Sequence, residues 1–510
     1  MLEDWAILQW LEQQHLSESS FKTLSDSIGT HPAVRRSYRK WVAELVGRDA
    51  AAADRLFQAA ISDTQISIQF RDDTLVSLLK APSAPDFLAR QDAQLLANDR
   101  ALLTRVIHLL RVACVKTPDW LSGLAQHGSI LNVPDGSAWP SVLRLVHRNL
   151  AAFVDNERAF LLGLVEDAVR GVSWWAPDLD GAEDIAGIAH WLLDGLRGYG
   201  GEELRKRVLK VIAKIPNADA ARFEETLQGH IEEGERRDVV AEDFQKLIYA
   251  GIEGMPAARD LPDVIIAVGV DYLLASEEDI DDEHRYHHRT DIDLYFGIKE
   301  QLQYDWFPPS ALRGPWAHLL RYHTEKAVNF YMNVFNHSAD WYAHPRLHDR
   351  LEKAWEAELT FADGTRRKQW INGRFWGLYR GLTVGPYPLM SMLMALESWL
   401  LEVAKQEPER LDTILLDILR RSDNAALAAV VASVVTAYPH ASGEALLVLL
   451  SVRDYIILDR SRMADEQQMA GMAGMFPTVD VEHQIYEMER KQANACHRRN
   501  NRERTTACGA

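Results

Sequence analysis

Residues 408–455 restrict the possible folds of this chain most strongly, because their apolar side chains recur at the three- and four-residue spacing of helices. Pro408 suits a first helical position, where its missing N–H costs nothing. The helix that follows has one apolar stripe, made of Leu411, Ile414, Leu415, Ile418 and Leu419. A second helix ends before Pro439 and has a stripe of Leu427, Val430, Val431, Val434, Val435 and Tyr438. A third begins after Gly443 and contains Leu446, Leu447, Leu449, Leu450 and Tyr455.

Short turns join these predicted helices. Ser422 or Asp423 is placed to cap the second of them. Its other side has residues small enough for a neighbouring helix to approach closely: Ala425, Ala428, Ala429 and Ala432. Helices of about 12 to 15 residues joined this way are antiparallel neighbours, and a series of them stacks into a solenoid. We therefore predict an all-α protein of irregular antiparallel helix pairs, with a HEAT- or TPR-like α-solenoid in its C-terminal part.

Breaks rich in proline and glycine divide the rest of the chain. The clearest are APSAP at residues 81–85 and NVPDGSAWP at residues 132–140. The predicted divisions are an N-terminal helical region (1–80), a helical domain (86–255), a helical domain with an acidic, histidine-rich loop (256–370), the solenoid (371–490) and a disordered or truncated tail (491–510). One short alternating run, QISIQF at residues 65–70, is compatible with a strand.

Several phrases of the second half carry a family resemblance. They are GRFWGLYRG, LMALESWLL, SDNAALAAVVASVVTAYP and LLVLLSVRDYIILDRSR, together with the earlier ARDLPDVIIAVGVDYLLAS. In wording and order they resemble the C-terminal helical region of large bacterial STAND-type ATPases, which are modular signalling proteins that include antiphage defence systems. The resemblance implies a sensor or scaffold that acts through protein contacts. The implied partner is an ATPase subunit or a phage protein.

The chain departs from that family in one respect, which is the lack of an ATPase module. No G-x-x-x-x-G-K-[ST] motif occurs, so the phosphate loop, its lysine and its magnesium-binding hydroxyl are missing from this sequence. The nearest phrase, GYGG at residues 198–201, follows an apolar helical run and precedes Glu202 and Glu203, which would repel phosphate. It is better interpreted as a glycine turn at a helix end. We therefore predict no cofactor.

Charge and cysteine usage narrow the class of partner and the compartment. The net charge of −18 argues against a general nucleic-acid surface, which needs clustered Lys and Arg. The three cysteines lie far apart without a CxxC pair, which is typical of a reducing cytosol. The first residues, MLEDWAILQ, have acids where an export signal has bases, and the longest apolar helical core is too short to cross a bilayer. We predict a cytoplasmic protein without a membrane partner.

An aromatic and basic cluster is the candidate partner-binding surface. It consists of Trp370, Trp376, Tyr379 and Arg380. Aromatic residues and arginine dominate the hot spots of protein interfaces. The alternative is that the rings fill a joint between helical subdomains, while Arg374 and Arg380 bind loop carbonyls.

A catalytic alternative uses the histidines of residues 318–349. His323, followed by His348-Asp349 and a later helical aspartate such as Asp412, resembles the ligand pattern of HD phosphohydrolases, where bound metal activates water. The acidic run before it contains His284, His287 and His288. That run is interpreted either as a solvated loop or as a metal site, since imidazoles and carboxylates bind transition metals.

A second catalytic alternative is the phrase RGPWAH, in which Arg313 and His318 have the R-x4-H spacing of HEPN-type helical ribonucleases. There the arginine would steady a scissile phosphate and the histidine would relay a proton. Pro315 interrupts the helix that normally holds such a pair. Within this sequence no G-x-S-x-G, HExxH or Rossmann phrase accompanies it.

Overall fold

Two compact units divide the chain, one of residues Met1–Asp219 and one of residues Ala220–Ala510. The structure is a computed structural model. It describes residues 32–62, 73–74, 77–78, 139–148, 150–152, 158–169, 179, 181–196, 201–229, 238–280, 292–299, 306–344, 352–381, 383–469, 484–485 and 488–489. The predicted strand at residues 65–70, the histidines of the acidic run, all three cysteines and the tail lie outside these ranges. The finer domain boundaries stay predictions.

The first unit is helical wherever it is described. Its helices are α1 (Pro32–Arg48), α2 (Ala50–Ser62), α3 (Trp139–Arg148), α4 (Arg158–Val169), α5 (Ala182–Asp194) and α6 (Glu202–Lys214). Helix α5 packs against α3, α4 and α6. Arg207 of α6 donates from Nε and Nη2 to the two carboxylate oxygens of Glu166 on α4, at 2.7 and 2.6 Å. Gly201 precedes α6 with φ of +83°, so the predicted glycine turn ends in a left-handed conformation that glycine adopts without strain.

The second unit begins with shorter helices around an aromatic core. They are α7 (Ala220–Gln228), α8 (Val239–Tyr249), α9 (Met255–Asp260), α10 (Pro262–Leu273), α11 (Ile292–Tyr295), α12 (Trp316–Tyr322) and α13 (Thr324–Ala343). The ring of Trp316 lies 5.9 Å from Tyr249, 5.4 Å from Phe330 and 6.3 Å from Trp306, measured between centroids. These large apolar rings hold α8, α12 and α13 together because they remove much apolar surface from water.

A β-hairpin follows α13, and the sequence pattern did not predict it. Strand β1 (Trp355–Thr360) pairs antiparallel with β2 (Arg366–Ile371). Ala357 and Leu359 face the core, while the outward side chains of the two strands form cross-strand ion pairs: Glu356–Lys368 at 2.6 Å and Glu358–Arg366 at 3.0 Å. The Asp-Gly of the turn was the available signal, since that dipeptide between alternating residues marks hairpins. Because many residues of the two strands are charged, the alternation of apolar and polar side chains is difficult to recognise in the sequence.

The C-terminal helices carry the strongest sequence pattern. They are α14 (Gly373–Gly377), α15 (Tyr387–Gln406), α16 (Pro408–Arg421), α17 (Ala425–Ala437), α18 (Gly443–Leu450) and α19 (Arg453–Met469). Helix α16 begins at Pro408, as predicted, and α17 ends at Ala437, so that Tyr438, which was placed in its apolar stripe, is the C-cap. Five short 3-10 segments complete the described helical structure: Leu150–Ala152, Pro216–Asp219, Glu277–Asp279, Leu378–Arg380 and Pro439–Ala441.

Two details of these helices differ from the sequence interpretation. Asn424, rather than Ser422 or Asp423, caps α17, and its side chain accepts the N–H of Ala426 at 2.9 Å. The predicted third helix is interrupted at residues 451–452, so α18 is short and Tyr455 belongs to α19. Leu447 and Leu450 of that predicted helix are exposed, because Ala445, Val448 and Leu449 form the buried face of α18.

The described part of the chain is mostly helical, with 19 α-helices and a single two-stranded sheet. Helix α17 packs against α15, α16 and α18, and its buried residues surround nearly its whole circumference. A helix that is apolar on all sides is a core helix. No helix among the described residues combines the length and apolar character needed to cross a membrane.

Candidate partner-binding cleft

The four residues of the predicted partner-binding cluster do not form one exposed surface. Trp376 and Tyr379 are each only 1% exposed. Trp370 lies in β2, where its ring is half-buried and meets the ring of His344 edge-on at 5.5 Å. The backbone N–H of Trp370 donates to the carbonyl of Asp423 at 2.8 Å. The two fully buried rings therefore have the packing role given by the alternative interpretation.

Trp376 connects α14 to α19. Its ring stacks on Tyr455 with centroids 4.8 Å apart, and its Nε1–H donates to Asp459 Oδ1 at 3.3 Å. The hydroxyl of Tyr455 donates to Gln369 Oε1 of β2 at 2.6 Å. Burial raises the pKa of Tyr455, so this phenol remains protonated as the donor. The chain of contacts thus joins the hairpin, α14 and α19 into one base.

Tyr379 lies between two guanidinium groups. The Arg380 carbon Cζ is 4.8 Å from the centre of its ring, and that of Arg462 is 5.8 Å away. Arginine stacked on an aromatic face is attracted by the negative face of the ring. Burial raises the pKa of Tyr379 to about 12, although the charges of Arg380 and Arg462 oppose that shift. The phenol of Tyr379 is therefore neutral at physiological pH.

Arg380 forms a buried ion pair, which the sequence interpretation did not predict. Its Nη2 lies 3.0 Å from Glu397 Oε1 of α15, with the side chains only 10% and 6% exposed. The same nitrogen donates to Ser433 Oγ of α17 at 3.3 Å, and the serine hydroxyl donates to Glu397. Glu397 and Ser433 were the missed residues. The available signal was the occurrence of polar side chains within two otherwise apolar helices, Glu397 in α15 and Ser433 in α17.

A cleft of about 300 Å³ opens beside this buried base. The residues that line it are Glu352, Gly373, Arg374, Trp376, Gly377, Thr383, Val384, Leu458, Ser461 and Arg462. Arg374 behaves as expected, since its Nη1 donates to the carbonyl of Val384 at 2.7 Å. The side chain of Val384 is 70% exposed, and Arg462 is held by Asp459 through a 2.8 Å contact from its Nε. An exposed apolar side chain thus lies next to two positioned arginines.

Local sequence explains why the cleft has this shape. Asn372 caps α14 by accepting the N–H of Phe375 at 2.8 Å, which fixes the direction of the helix. Gly381 reverses the chain with φ of +63°, in the left-handed region that favours glycine. A Cβ at Gly377 would lie 2.6 Å from Thr383 Cγ2, so only glycine allows the returning loop to pack closely.

Arg313, the arginine of the ribonuclease alternative, has a structural role. The Arg313 guanidinium donates to the carbonyls of Pro308 at 2.7 Å, Ala250 at 2.7 Å and Phe307 at 2.6 Å. His318 is buried on α12. Its burial, and then the charges of Arg321 and Arg259, lower its pKa from 6.5 to about 4. A general acid or base works best with a pKa near the operating pH, and this imidazole is far from it.

This histidine gives a prediction about stability and pH. We expect wild type to lose about 2 to 3 kcal/mol more than His318→Phe between pH 7 and pH 4.5. The unfolded chain takes up the proton near 6.5, whereas the folded chain resists it down to about 4. The stability that comes from burying the neutral imidazole is therefore fully present above pH 6.5 and is lost as the pH falls towards 4. Urea unfolding at both pH values measures it, and an identical pH dependence of the two proteins would contradict it.

Two residues of the phosphohydrolase alternative, Asp412 and His323, make structural hydrogen bonds. Both carboxylate oxygens of Asp412 accept backbone N–H groups, from Glu444 and Ala445, each at 3.0 Å. Asp412 therefore caps α18, which is not the metal-ligand role predicted for it. His323 Nε2 lies 2.7 Å from the carbonyl of Arg259, to which it donates. His348 and Asp349 lie outside the described residues, and within those residues no group of three potential metal ligands occurs.

Comparisons with known proteins do not assign the cleft. The chain matches no protein-family model and has no significant match among curated proteins.

Proposed function

We propose that this chain is a non-catalytic protein-interaction module, acting as the sensor or scaffold part of a STAND-like defence system. The observation that carries the proposal is the cleft, where the exposed Val384 lies beside Arg374 and Arg462. Arginine and aromatic side chains set in a pocket are typical of interface hot spots. The partner we propose is a P-loop ATPase subunit or a phage protein.

Positioning of the arginines before binding supports this role. Arg374 is held by the carbonyl of Val384, and Arg462 by Asp459 and the face of Tyr379. Side chains that are already ordered lose less conformational freedom when a partner binds, so more of the contact energy appears as affinity. The buried pair of Arg380 and Glu397 stiffens the base beneath them. The cleft is thus suited to recognition.

We also propose that the C-terminal helices are arranged as an α-solenoid. Support comes from the succession α15 to α19, in which each helix packs on its neighbour in sequence and α17 also contacts α15. The exposed apolar side chains of Ile456 and Ile457 on α19 are what a further stacked element would cover. The cytoplasm is the proposed compartment, on the grounds of the acidic charge and the separated cysteines.

Photo-crosslinking tests this function. In the full chain, p-benzoylphenylalanine replaces Val384, and bacterial cells that carry the chain's own gene neighbourhood are irradiated before and during phage infection. We expect position 384 to crosslink to a P-loop ATPase or to a phage protein, identified by mass spectrometry. Leu447 is the matched control, because it is 68% exposed against 70% for Val384 but lies on α18, away from the residues that line the cleft.

Each outcome of the crosslinking experiment either supports or contradicts the proposed function. A crosslink to such a protein from position 384 and not from position 447 supports the proposal. Equal crosslinking at both positions, crosslinking only to nucleic acid, or no crosslink from position 384 contradicts it.

A further inference from the structure

A second polar site lies in the turn that precedes α12. Ser310 Oγ donates to Glu489 Oε2 at 2.7 Å, and the backbone N–H of Ala311 donates to the same oxygen at 3.3 Å. Ser310 and Glu489 are 179 positions apart in sequence. Two donors from the turn therefore converge on one carboxylate oxygen that comes from near the C-terminal end of the described residues.

The Ser310 hydroxyl is oriented so that only a hydrogen-bond acceptor can bind at the position of the Glu489 carboxylate. Its oxygen already accepts the backbone N–H of Leu312 at 3.2 Å. A hydroxyl has one hydrogen to donate, and here that hydrogen is directed at Glu489. The N–H of Ala311 is also a donor. A ligand atom at this position has to accept both hydrogens, which suits a carboxylate oxygen and disfavours an ammonium or guanidinium group.

The turn is built independently of Glu489. Arg313 binds three backbone carbonyls, two of them within residues 307–308 of the same turn. The N–H of Gly314 donates to the carbonyl of Gly251 at 2.8 Å, and the N–H of Ser310 donates to Ser391 Oγ at 3.3 Å. These contacts hold the donors in position, and the buried positive charge of Arg313 in the same turn favours an anion.

We propose that the Ser310 turn is a binding site for a glutamate carboxylate on a peptide segment, and that Glu489 of this chain occupies it in cis. The site is separate from the cleft and does not depend on the function proposed above. An acidic segment of the same kind supplied in trans takes the site when Glu489 is removed. Glu489 thereby controls whether a partner can bind to the Ser310 turn.

Fluorescence anisotropy with a labelled peptide tests the proposal on the full chain. The peptide has the sequence of residues 480–494, DVEHQIYEMERKQAN, and a second peptide has glutamine in place of the glutamate at 489. A tethered segment competes at an effective concentration near the millimolar range. We therefore expect the Glu489→Ala chain to bind the natural peptide at least about tenfold more tightly than wild type does. A charge-assisted hydrogen bond is lost with the glutamine peptide, so we expect about tenfold weaker binding of it.

Further variants complete the experiment. Ser310→Ala in the Glu489→Ala background is expected to weaken binding of the natural peptide about tenfold, since one of the two donors is removed. Glu487→Ala, a matched acid two residues away in sequence, is expected to bind like wild type. Equal affinity of wild type and Glu489→Ala, or equal affinity for the two peptides, overturns the proposal. The peptide comparison needs no change at Ser310, so it decides the matter even where Ser310→Ala impairs folding.

Discussion

Val431→Asp is expected to unfold the C-terminal helices of the second unit. Val431 is fully buried in the middle of α17, between α15, α16 and α18. Its neighbours on the helix are apolar, so an introduced carboxylate would find no partner there. Burying such a group costs several kcal/mol, a large part of the roughly 5 to 15 kcal/mol that stabilises a domain. Circular dichroism during heating and urea unfolding measure the loss.

Thr436→Asp is the matched control for this variant. Thr436 lies on the same helix but is exposed, with its hydroxyl donating to the carbonyl of Ala432 at 2.7 Å. A carboxylate there stays in water and opposes only the negative end of the helix dipole, which costs about 0.3 to 1 kcal/mol. Equal melting temperatures for Val431→Asp and wild type would show that α17 does not bury this position.

Glu397→Ala is expected to destabilise the chain by about 3 to 5 kcal/mol, because it leaves the buried guanidinium of Arg380 without its carboxylate. The pair lies 3.0 Å apart and joins the Leu378–Arg380 segment to α15. Ser433 of α17 loses its acceptor at the same time. Chemical denaturation measures the difference in unfolding free energy.

Glu402→Ala on the same helix provides the comparison. Glu402 pairs with Arg321 at 2.7 Å, but these side chains are 36% and 39% exposed. Exposed ion pairs contribute about 0 to 1 kcal/mol because water already solvates both partners. We expect the Glu397 variant to lose far more stability than the Glu402 variant. Similar losses would mean that the Arg380–Glu397 pair is solvated and not part of the core.

Helical periodicity correctly predicted the two helices of residues 408–437. Pro408 and Pro439 were informative because proline acts on the backbone locally: it fits a first helical turn and excludes the preceding residue from a helix. The apolar stripe of α16 was also correct for Leu411, Leu415, Ile418 and Leu419, all of which are buried. Such features depend on neighbours within one or two turns and can be read without knowing the fold.

The errors arose where distant residues decide the outcome. Asn424 caps α17 because its side-chain amide also donates to the carbonyl of Phe335 at 2.9 Å, a contact that spacing cannot reveal. Leu447 belongs to the predicted third helix, yet the packing of α18 leaves it exposed. In β1 and β2 the cross-strand pairing of charges, rather than an apolar pattern, marks the outer face.

The candidate site was only partly predictable. Composition directed attention to Trp376, Tyr379 and Arg380, and these residues do lie at one place in the fold. Trp376 lines the cleft, but its ring and that of Tyr379 are almost fully buried, since large apolar rings are most stable away from water. Val384 and Arg462 line the opening from segments 78 positions apart, and only the packing of α19 against α14 brings them together.

The decisive measurement of recognition through the cleft is the affinity of cleft variants for the partner that crosslinks to position 384. Isothermal titration calorimetry measures binding of the purified partner, the protein identified by crosslinking from position 384, to wild type, Val384→Asp and Leu447→Asp. A loss of about 1.4 kcal/mol corresponds to tenfold weaker binding. We predict at least that loss for Val384→Asp and an unchanged affinity for Leu447→Asp. Full affinity of Val384→Asp, or an equal loss in both variants, would contradict recognition through the cleft.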